Sequence, residues 1–574
     1  MAAAKEHKDI YNVTDVPVPY DVSCRMSVVM VPMRDGVKLH TVIYFPPDFD
    51  GKPLPAVVVR SPYTRKTYFE LPDADCLKHG AIYVLQACRG TGWSEGVFDP
   101  AEADTEMNDA ADLLEYLSAQ NFFNGNCVMR GASYPGWCQW SAARTGHPAL
   151  KGITPGVAPL YSCCGSSFLG GGVLWLFTME WCLTMHHRVT YGYGAVPNYR
   201  EMDIASKLPE IDADLHAGYR ELEPVRKFFA AARHPAEIMQ RYQSWFKNFT
   251  VPAFIYGGWF DPFKDQTIEG FMLMVRDAAA ENARKFTRLT IGPWGHGGLL
   301  NPEVFGKECD QKNMLAEMSK FIFGLLKSPA EDPLPDAPAV RFYMMGENRW
   351  YDAGQWPPEG TGEKTAYLHS NGRANSSDGD GWIDFTAPAG AEEPDVYISD
   401  PAHPVMSFPG GSGAGCYDRS GQQKNSAMLV YTSQVFSAPL AITGEVKFSF
   451  YASASTADTD FVAHLSLLMP DGRALRIANG MVRARYRNSL ESPELLEPNK
   501  VYRFEISLSH TALKIMPGQA LRLDICGQDF PVYGRNANSG KELLSDTVLY
   551  LSRHTILHDA EHPAELHLPV NNRF

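Results

Sequence analysis

Short apolar runs, each bounded by glycine or proline, recur through the first half of the chain and limit the folds open to it. Runs this short and this continuously apolar are typical of strands buried on both faces of a parallel sheet. They are Ala56–Val59, Ile82–Gln86, Cys127–Met129, Ala253–Tyr256 and Leu289–Ile291. A helical pattern over Asp104–Gln120 separates two of them, with Met107, Ala111, Leu114 and Leu117 on one face. The strand–helix–strand order predicts an α/β fold.

Composition divides the chain into a core in two parts, an insertion and a C-terminal region. Residues 24–157 and 251–331 carry the strand pattern and are predicted to form the two parts of the α/β core. Residues 158–250 are rich in aromatics, Met and Arg at helical spacing, which predicts a helical cap inserted between two strands. After the proline-rich stretch Ser328–Pro338, which we interpret as a linker, residues 332–574 alternate apolar and polar side chains between turn signals. That pattern predicts an all-β sandwich or jelly roll.

Charge and cysteine usage narrow the classes of partner and cofactor. The net charge of -14 disfavours nucleic acid and anionic membranes as partners. We expect no secretory signal at the N-terminus, and the longest apolar stretch, residues 170–183, contains Glu180 and is too short to span a bilayer. No C-x-x-C spacing occurs among the cysteines, and His186 beside His187 is not by itself a metal site. We therefore expect reduced thiols in a cytoplasmic protein that requires no metal or cofactor.

The sharpest chemical motif is Gly131-Ala-Ser133-Tyr-Pro-Gly136, a serine flanked by glycines in the manner of a G-x-S-x-G pattern, with the second glycine one position later. It follows one predicted strand and precedes a helical segment. A sharp strand-to-helix turn crowds the backbone, so small residues are needed beside the serine, which then projects at a helix N-terminus. This context predicts that Ser133 is a nucleophile. The alternative is a glycine-rich turn with a capping serine.

A nucleophilic serine needs a base, and the base needs an acid that orients it. In α/β-hydrolase chains the order is serine, acid, histidine. Asp261 follows the run Ala253–Tyr256, and His296 follows Leu289–Ile291. Both positions are at strand carboxyl ends, where the sites of open α/β sheets gather. The sequence therefore predicts a Ser133–Asp261–His296 triad, against the alternatives of a helix-capping aspartate and an ordinary loop histidine.

Ester or amide cleavage also needs donors for the oxyanion that develops on the carbonyl oxygen. The backbone N–H of Tyr134 is the expected first donor, because it follows the nucleophile. The loop after Ala56–Val59 contains no H-G-G-G run that would supply a backbone donor. Tyr63 in that loop could supply its phenolic O–H instead. Its alternative role is that of a packed surface tyrosine.

Five blocks in the first half of the chain resemble those of the CocE/NonD-type acyl hydrolases. They are RSPYTRK, CRGTGWSEG, GASYPGW, GGWFDPF and GPWGHGG, in that order. The resemblance continues into TDFVAHLSLLMPDGRA, VRARYRNS and GRNANSG near the C-terminus. The group includes cocaine esterases, α-amino-acid ester hydrolases and X-prolyl dipeptidyl-peptidases, and the cocaine esterase branch is the most similar. The resemblance implies an α/β-hydrolase core, an inserted helical cap and a C-terminal jelly roll.

The same resemblance assigns roles to individual residues. It places the triad on Ser133, Asp261 and His296 and an unusual oxyanion tyrosine on Tyr63. It also implies that Phe263 lines an acyl pocket, with Trp181 of the cap as a further candidate. Members of the family often self-associate, so the resemblance also allows a homodimer.

Residues after the triad acid bear on the substrate. α-Amino-acid ester hydrolases carry acidic residues there, whereas Pro262, Phe263 and Lys264 follow Asp261 in this chain. An unpaired buried ammonium group is costly, which disfavours amino-bearing substrates. We expect a small-molecule ester with a neutral hydrophobic or aromatic acyl group to be the substrate. The aromatic side chains expected to receive it are Phe263, Trp175, Phe177 and Trp181.

Two alternative functions stay open from the sequence. The same triad serves X-prolyl or dipeptidyl-peptidases and amidases or acylases. A chain of a different class would bind carbohydrate through its β-rich region and use the core as a scaffold. The complete set of serine, acid, histidine and oxyanion donor favours an enzyme over such a scaffold.

Overall fold

The computed structural model describes residues 11–17, 23–63, 73–100, 102–161, 168–191, 200–223, 226–227, 235–299, 302–306, 309–407 and 415–574. The first strands of the core are β1 Tyr11–Pro17, β2 Ser23–Pro32, β3 Lys38–Phe45, β4 Leu54–Ser61, β5 Ile82–Ala87, β6 Phe123–Ala132 and β7 Leu150–Gly156. Helices Ala74–Lys78, Ala103–Ser118 and Tyr134–Ala143 connect them. β7 was not predicted, because Lys151, Gly152 and Pro155 interrupt its apolar run.

The region predicted as a helical cap is mostly helical in its described part. Its helices are Trp175–Tyr191, Glu201–Ala205, Ala213–His216 and Pro235–Trp245. A short hairpin of β8 Phe168–Leu169 and β9 Gly172–Val173 precedes them, and it was not expected. None of the described helices combines the length and the apolarity needed to cross a bilayer.

The second part of the core contributes strands β10 Phe254–Gly258, β11 Arg288–Gly292, β12 Trp294–Gly295, β13 Gly298–Leu299, β14 Val340–Met344 and β15 Arg349–Ala353. Its helices are Lys264–Asp277, Glu281–Phe286, Pro302–Phe305 and Lys312–Lys327. The core sheet has the order β1-β2-β3-β5-β4-β6-β7-β10-β11-β14-β15. Strands from β5 to β14 in this order are parallel, and antiparallel strands flank them at both edges.

By strand pairing, the core sheet extends beyond residue 331, the predicted end of the core. β14 pairs in parallel with β11, and β15 returns antiparallel to β14. The proline-rich stretch Ser328–Pro338 therefore connects a helix to a strand of the same sheet. Proline and turn residues mark a break between elements, and such a break occurs inside a domain as readily as between domains.

The apolar face predicted for the helix Ala103–Ser118 is only partly buried: Leu114 and Leu117 are buried as expected. Met107 and Ala111 are only half-buried, whereas Glu106 and Asp109 are buried. Burial of two acids is possible because arginine side chains pair with them, as described below. The apolar periodicity of the helix does not predict that pairing, because the arginines belong to other parts of the chain.

The C-terminal region is all-β, as predicted, apart from 3-10 turns such as Gln422–Lys424 and Ala484–Tyr486. Its strands are β16 Thr361–His369, β17 Gly381–Asp384, β18 Asp395–Ser399, β19 Met428–Ser433, β20 Leu440–Ala454, β21 Asp460–Leu468, β22 Ala474–Arg483, β23 Tyr502–Ile515, β24 Ala520–Cys526, β25 Ser552–Leu557 and β26 Glu565–Asn571. They form one connected network in which the long strand β20 pairs with β23, β25 and β26. Asp265 joins the core to this region, since its carboxylate accepts hydrogen bonds from Ser509 Oγ and His510 N.

Candidate active site

Ser133 occupies the sharp turn between β6 and the helix Tyr134–Ala143. Its φ of 64° is in the left-handed region, which is strained for a residue with a side chain. A Cβ at Gly131 would lie 2.5 Å from the Pro135 side chain, and a Cβ at Gly136 would lie 2.5 Å from that of Ala158. The turn therefore requires the small residues of the motif. Ser133 N donates to Gly156 O at 2.9 Å, which ties the turn to the neighbouring strand β7.

The three predicted triad residues meet at the carboxyl edge of the parallel sheet. His296 Nε2 lies 3.0 Å from Ser133 Oγ, and His296 Nδ1 lies 2.7 Å from Asp261 Oδ2. Asp261 follows β10, and His296 lies in the turn between β12 and β13. β6, β7, β10 and β11 are consecutive neighbours in the sheet, so their carboxyl ends bring the three side chains together.

Asp261 fixes both the orientation and the charge preference of His296. The Asp261 residue is only 3% exposed, and its second oxygen, Oδ1, accepts from Phe263 N at 2.7 Å. A carboxylate only accepts hydrogen bonds, so His296 must donate from Nδ1 and present the lone pair of Nε2 to Ser133. Burial lowers the pKa of His296, but the charge and hydrogen bond of Asp261 outweigh burial and leave that pKa above its usual value.

The two predicted oxyanion donors lie around the indole of Trp181. Trp181 Nε1 donates to the hydroxyl oxygen of Tyr63 at 3.1 Å. The same indole stacks on the ring of Tyr134, with centroids 5.8 Å apart and an interplanar angle of 17°. Phe98 packs against both Tyr134 and Trp181. Trp181 therefore links the loop of Tyr63 to the residue that follows Ser133.

Aromatic rings also pack around the histidine. Phe263 and Phe177 lie edge-on to the His296 ring, at centroid distances of 5.4 and 5.6 Å, and 5.5 Å from each other. This is where the sequence placed an acyl pocket. Trp175 does not belong to this group, because its fully buried ring packs inside the cap and its Nε1 donates to Ala205 O. The expectation for Trp175 was wrong because periodicity does not say which helix face turns toward the core.

A buried ion-pair network beneath the site was missed by sequence reasoning. Arg60, at the end of β4, is fully buried and pairs with Glu106 at 3.0 Å. Asp109 accepts from Arg89 at 2.6 Å, and Arg89 also reaches Asp35 at 2.8 Å. These bonds hold the loops after β4 and β5, which carry Tyr63 and Phe98. The sequence did contain a signal for this network. Arg60 and Arg89 lie at or near the start of two motif blocks, and the acids Glu106 and Asp109 are three residues apart on one helix.

One group of possible metal ligands occurs in the described part of the chain. Donor atoms of Cys88, Glu106 and Cys138 all lie within 4.8 Å of one another. Arg60 already provides a positive charge to Glu106, and burial raises the pKa of both thiols, so they stay protonated. The chemistry of this donor set therefore fits the buried ion-pair network and not a bound cation.

The fold and the arrangement of nucleophile, histidine and acid define a serine hydrolase of the α/β-hydrolase class. Residues 35–298 match the family model described as X-Pro dipeptidyl-peptidase (S15 family). Residues 335–567 match the X-Pro dipeptidyl-peptidase C-terminal non-catalytic domain. Cocaine esterase from Rhodococcus sp. (strain MB1 Bresler) is 31% identical over an alignment of 587 positions, gaps included, which covers 95% of this chain and 98% of that protein. The chain therefore belongs to the CocE/NonD family of hydrolases, the family of cocaine esterase, as its sequence motifs predicted.

Solved structures show the same fold over nearly the whole chain. An α-amino acid ester hydrolase superposes with a TM-score of 0.82 at 23% identity, covering 99% of this chain and 100% of its own. An aminopeptidase from the marine sediment archaeon Thaumarchaeota archaeon superposes with a TM-score of 0.80 at 23% identity and the same coverage. These likenesses confirm the predicted fold class.

Proposed function

We propose that this enzyme hydrolyses carboxylic esters through an acyl-enzyme on Ser133. The observation that carries the proposal is the hydrogen-bonded series Asp261–His296–Ser133, with the serine held on a strained strand-to-helix turn. Its likeness to cocaine esterase supports an ester as the substrate.

The geometry supports a two-step acyl transfer. His296 Nε2 takes the Ser133 proton as Oγ attacks the ester carbonyl, and the resulting imidazolium is stabilised by Asp261. His296 then gives that proton to the leaving alcohol as the tetrahedral intermediate collapses to the acyl-enzyme. A water molecule attacks the acyl-enzyme in the same way, and the carboxylic acid leaves with Ser133 restored.

We assign the oxyanion hole to the backbone N–H of Tyr134 and the O–H of Tyr63. Trp181 Nε1 donates to the Tyr63 oxygen. This hydrogen bond orients the phenol, whose oxygen acts as the acceptor. A phenol polarised in this way is a better donor toward a second acceptor. One oxyanion donor contributes about 10² to 10³ in kcat.

For the substrate we propose an ester with a neutral hydrophobic or aromatic acyl group. Phe263 and Phe177 supply an aromatic surface beside His296. An apolar cavity of about 400 Å³ lies next to Trp181 and Phe98 and offers further room for apolar groups. Full burial of an aromatic group contributes roughly 1.5 to 3 kcal/mol, which is enough for tenfold selectivity.

A second candidate function is cleavage of peptides or amides with the same triad. Both family models that match the chain are named for X-Pro dipeptidyl-peptidases. Dipeptidyl-peptidase substrates present an ammonium group, and the three residues directly after Asp261, which are Pro262, Phe263 and Lys264, are not acidic. We therefore rank this activity below ester hydrolysis.

A substrate panel tests the two candidates directly. We expect kcat/KM for phenyl benzoate and p-nitrophenyl butyrate to exceed that for phenylglycine methyl ester and Ala-Pro-p-nitroanilide by tenfold or more. A fluorophosphonate should label Ser133, and Ser133→Ala should abolish labelling. A higher kcat/KM for either amino-bearing substrate would contradict the proposed substrate class.

We also propose a cytoplasmic location. Cys88 and Cys138 are free, buried thiols whose sulfur atoms lie only 3.9 Å apart. Thiols this close are typical of proteins kept in a reducing compartment. Cell fractionation would test the location.

A further inference from the structure

A second cavity, of about 290 Å³, lies between the core and the C-terminal region. Its inner wall includes Trp259, Lys264 and Arg476, and its outer wall includes Ser507 and Glu505, which are exposed. Of the triad, Asp261 lines this cavity, whereas Ser133 and His296 are not among the described residues that line it. Its volume is close to the lower end of the range for ligand pockets, about 300 Å³.

Lys264 is the unusual group in this cavity. It is only 8% exposed, and its ammonium has no hydrogen bond or ion pair with any residue in the described ranges. Burial lowers the pKa of Lys264 to about 8, against the opposing charge of Asp265. A buried ammonium without a hydrogen-bonded partner is costly, so an acceptor that enters the cavity gains a strong interaction there.

The nearby carboxylates are committed to other groups. Both oxygens of Asp265 lie 2.6 Å from Ser509 Oγ, and Oδ1 also accepts from His510 N. The two oxygens of Asp261 accept from His296 and from Phe263 N. These acids lower the net positive potential of the cavity, but they leave the ammonium N–H groups of Lys264 without an acceptor.

The other lining residues indicate which kind of ligand the cavity would accept. Arg476 is a second buried cation, and it donates to Asn479 Oδ1 at 3.1 Å and to Gly415 O at 2.8 Å. The remaining wall is largely apolar, with Trp259, Leu174, Met481, Val482 and Val532. A single anionic group beside the cations, attached to a compact apolar body, would match both parts of this surface.

We propose that this cavity is a binding site for a small organic carboxylate with an apolar body, held through Lys264. A carboxylate only accepts hydrogen bonds and can take two or more from an ammonium group. The site is additional to the proposed ester site, and binding there requires no turnover.

Titration calorimetry of the full chain with sodium benzoate tests this site. The protein is first treated with a fluorophosphonate. Reaction at Ser133 leaves an adduct in the ester site and so prevents benzoate from binding there. We expect saturable benzoate binding that is at least tenfold weaker in Lys264→Met. Lys312→Met, which changes a lysine whose side chain is 86% exposed, should bind benzoate as the unchanged chain does. Benzamide, which has the same ring without the charge, should bind at least tenfold more weakly than benzoate.

The proposal is wrong if benzoate does not bind, if Lys264→Met binds it as well as the unchanged chain, or if benzamide binds equally. Should Lys264→Met fail to fold, Ser507→Trp decides, because it narrows the mouth and keeps the lysine. Unchanged benzoate affinity in Ser507→Trp would then overturn the proposal. Failure of ester hydrolysis with intact benzoate binding would reject the proposed function and leave this site standing.

Discussion

The C-terminal region contains a second cluster of serine, histidine and aspartate, made up of Ser370, His558 and Asp395. It has the same residue types as the core triad of Ser133, His296 and Asp261. Ser370 Oγ is 3.1 Å from His558 Nε2, and that nitrogen is also 3.1 Å from Asp395 Oδ2. Each cluster therefore contains the three residue types of a hydrolase triad within hydrogen-bond distance.

The two clusters differ in how the histidine is connected. In the core, the acid bonds Nδ1 and the serine bonds Nε2, so a proton can pass from serine to histidine. In the C-terminal cluster, Glu392 bonds Nδ1 of His558 at 2.9 Å, and Asp395 shares Nε2 with the serine. Ser370 donates its own proton to Asp395 at 2.7 Å. A histidine held between two carboxylates is a donor on both sides and cannot act as a base toward Ser370.

Exposure and backbone geometry separate the clusters further. The His296 side chain is 24% exposed, whereas that of His558 is fully buried. Ser133 is half-buried on a strained turn, and Ser370 is 3% exposed directly after β16. Residue types and distances alone therefore do not define a reactive site. The nitrogen that faces the serine, and access for a substrate, decide between catalysis and structural support.

The largest expected difference comes from removing each serine hydroxyl. Ser133→Ala should lower kcat on p-nitrophenyl butyrate by about 10⁶, because loss of a triad nucleophile removes the covalent route. Ser370→Ala should leave kcat within twofold and lower the free energy of unfolding by about 1 to 3 kcal/mol, the cost of a lost buried hydrogen bond. Loss of activity in Ser370→Ala, with the fold retained, would contradict the distinction between the clusters.

Neutralising each aspartate should give the next largest effects. Asp261→Asn should lower kcat by about 10⁴, since the amide favours the wrong tautomer of His296. Asp395→Asn should instead destabilise the chain by about 3 kcal/mol or more, because it leaves His558 with one fewer anionic partner in a buried site. Kinetics and urea unfolding should be measured on both variants. A large loss of kcat in Asp395→Asn with unchanged kcat in Asp261→Asn would show that the clusters were assigned wrongly.

Two tyrosine hydroxyls provide a smaller contrast. Tyr63→Phe should lower kcat by about 10² to 10³ with little change in KM, as expected for loss of one oxyanion donor. Tyr431 donates to Asp395 at 2.7 Å, so Tyr431→Phe should cost about 1.5 to 3 kcal/mol of stability and leave kcat unchanged. A loss of less than threefold in kcat for Tyr63→Phe would return Tyr63 to a packing role.

The difference between the clusters also marks what sequence reasoning could reach. The core site was predicted because its serine lies in a local motif and its acid and histidine each follow a buried strand. Ser370, Asp395 and His558 are 25 and 163 residues apart in sequence, and no local motif marks them. Their meeting depends on the pairing of β16, β18 and β25 with distant strands, which no short pattern in the sequence records.

The errors in the core have the same physical origin. β7 was missed because its strand is stabilised by neighbours on both sides and not by its own apolar run. The extension of the core sheet through β14 and β15 was missed because composition shows a break in the chain but not the partner of the next strand. The burial of Glu106 and Asp109 was not anticipated, because their partners Arg60 and Arg89 belong to other elements.

The smallest expected effects come from titrating the two histidines. Burial lowers the pKa of each, but the neighbouring carboxylates outweigh burial and leave the pKa of both His296 and His558 above the usual value of about 6.5. For His296, kcat/KM should rise with pH through that elevated pKa, because only the neutral ring accepts the Ser133 proton. For His558, the elevated pKa means that the folded chain binds the proton more tightly than the unfolded chain. The resulting stability is fully present below pH 6.5 and is lost as pH rises through the folded-state pKa, by about 1.4 kcal/mol for each pKa unit of elevation. Urea unfolding of the unchanged chain and of His558→Gln, compared between pH 5.5 and 9, should show their difference in stability shrinking toward high pH. A difference that grows with pH would mean that His558 is buried as the neutral ring, and the contrast with His296 would then rest on exposure alone.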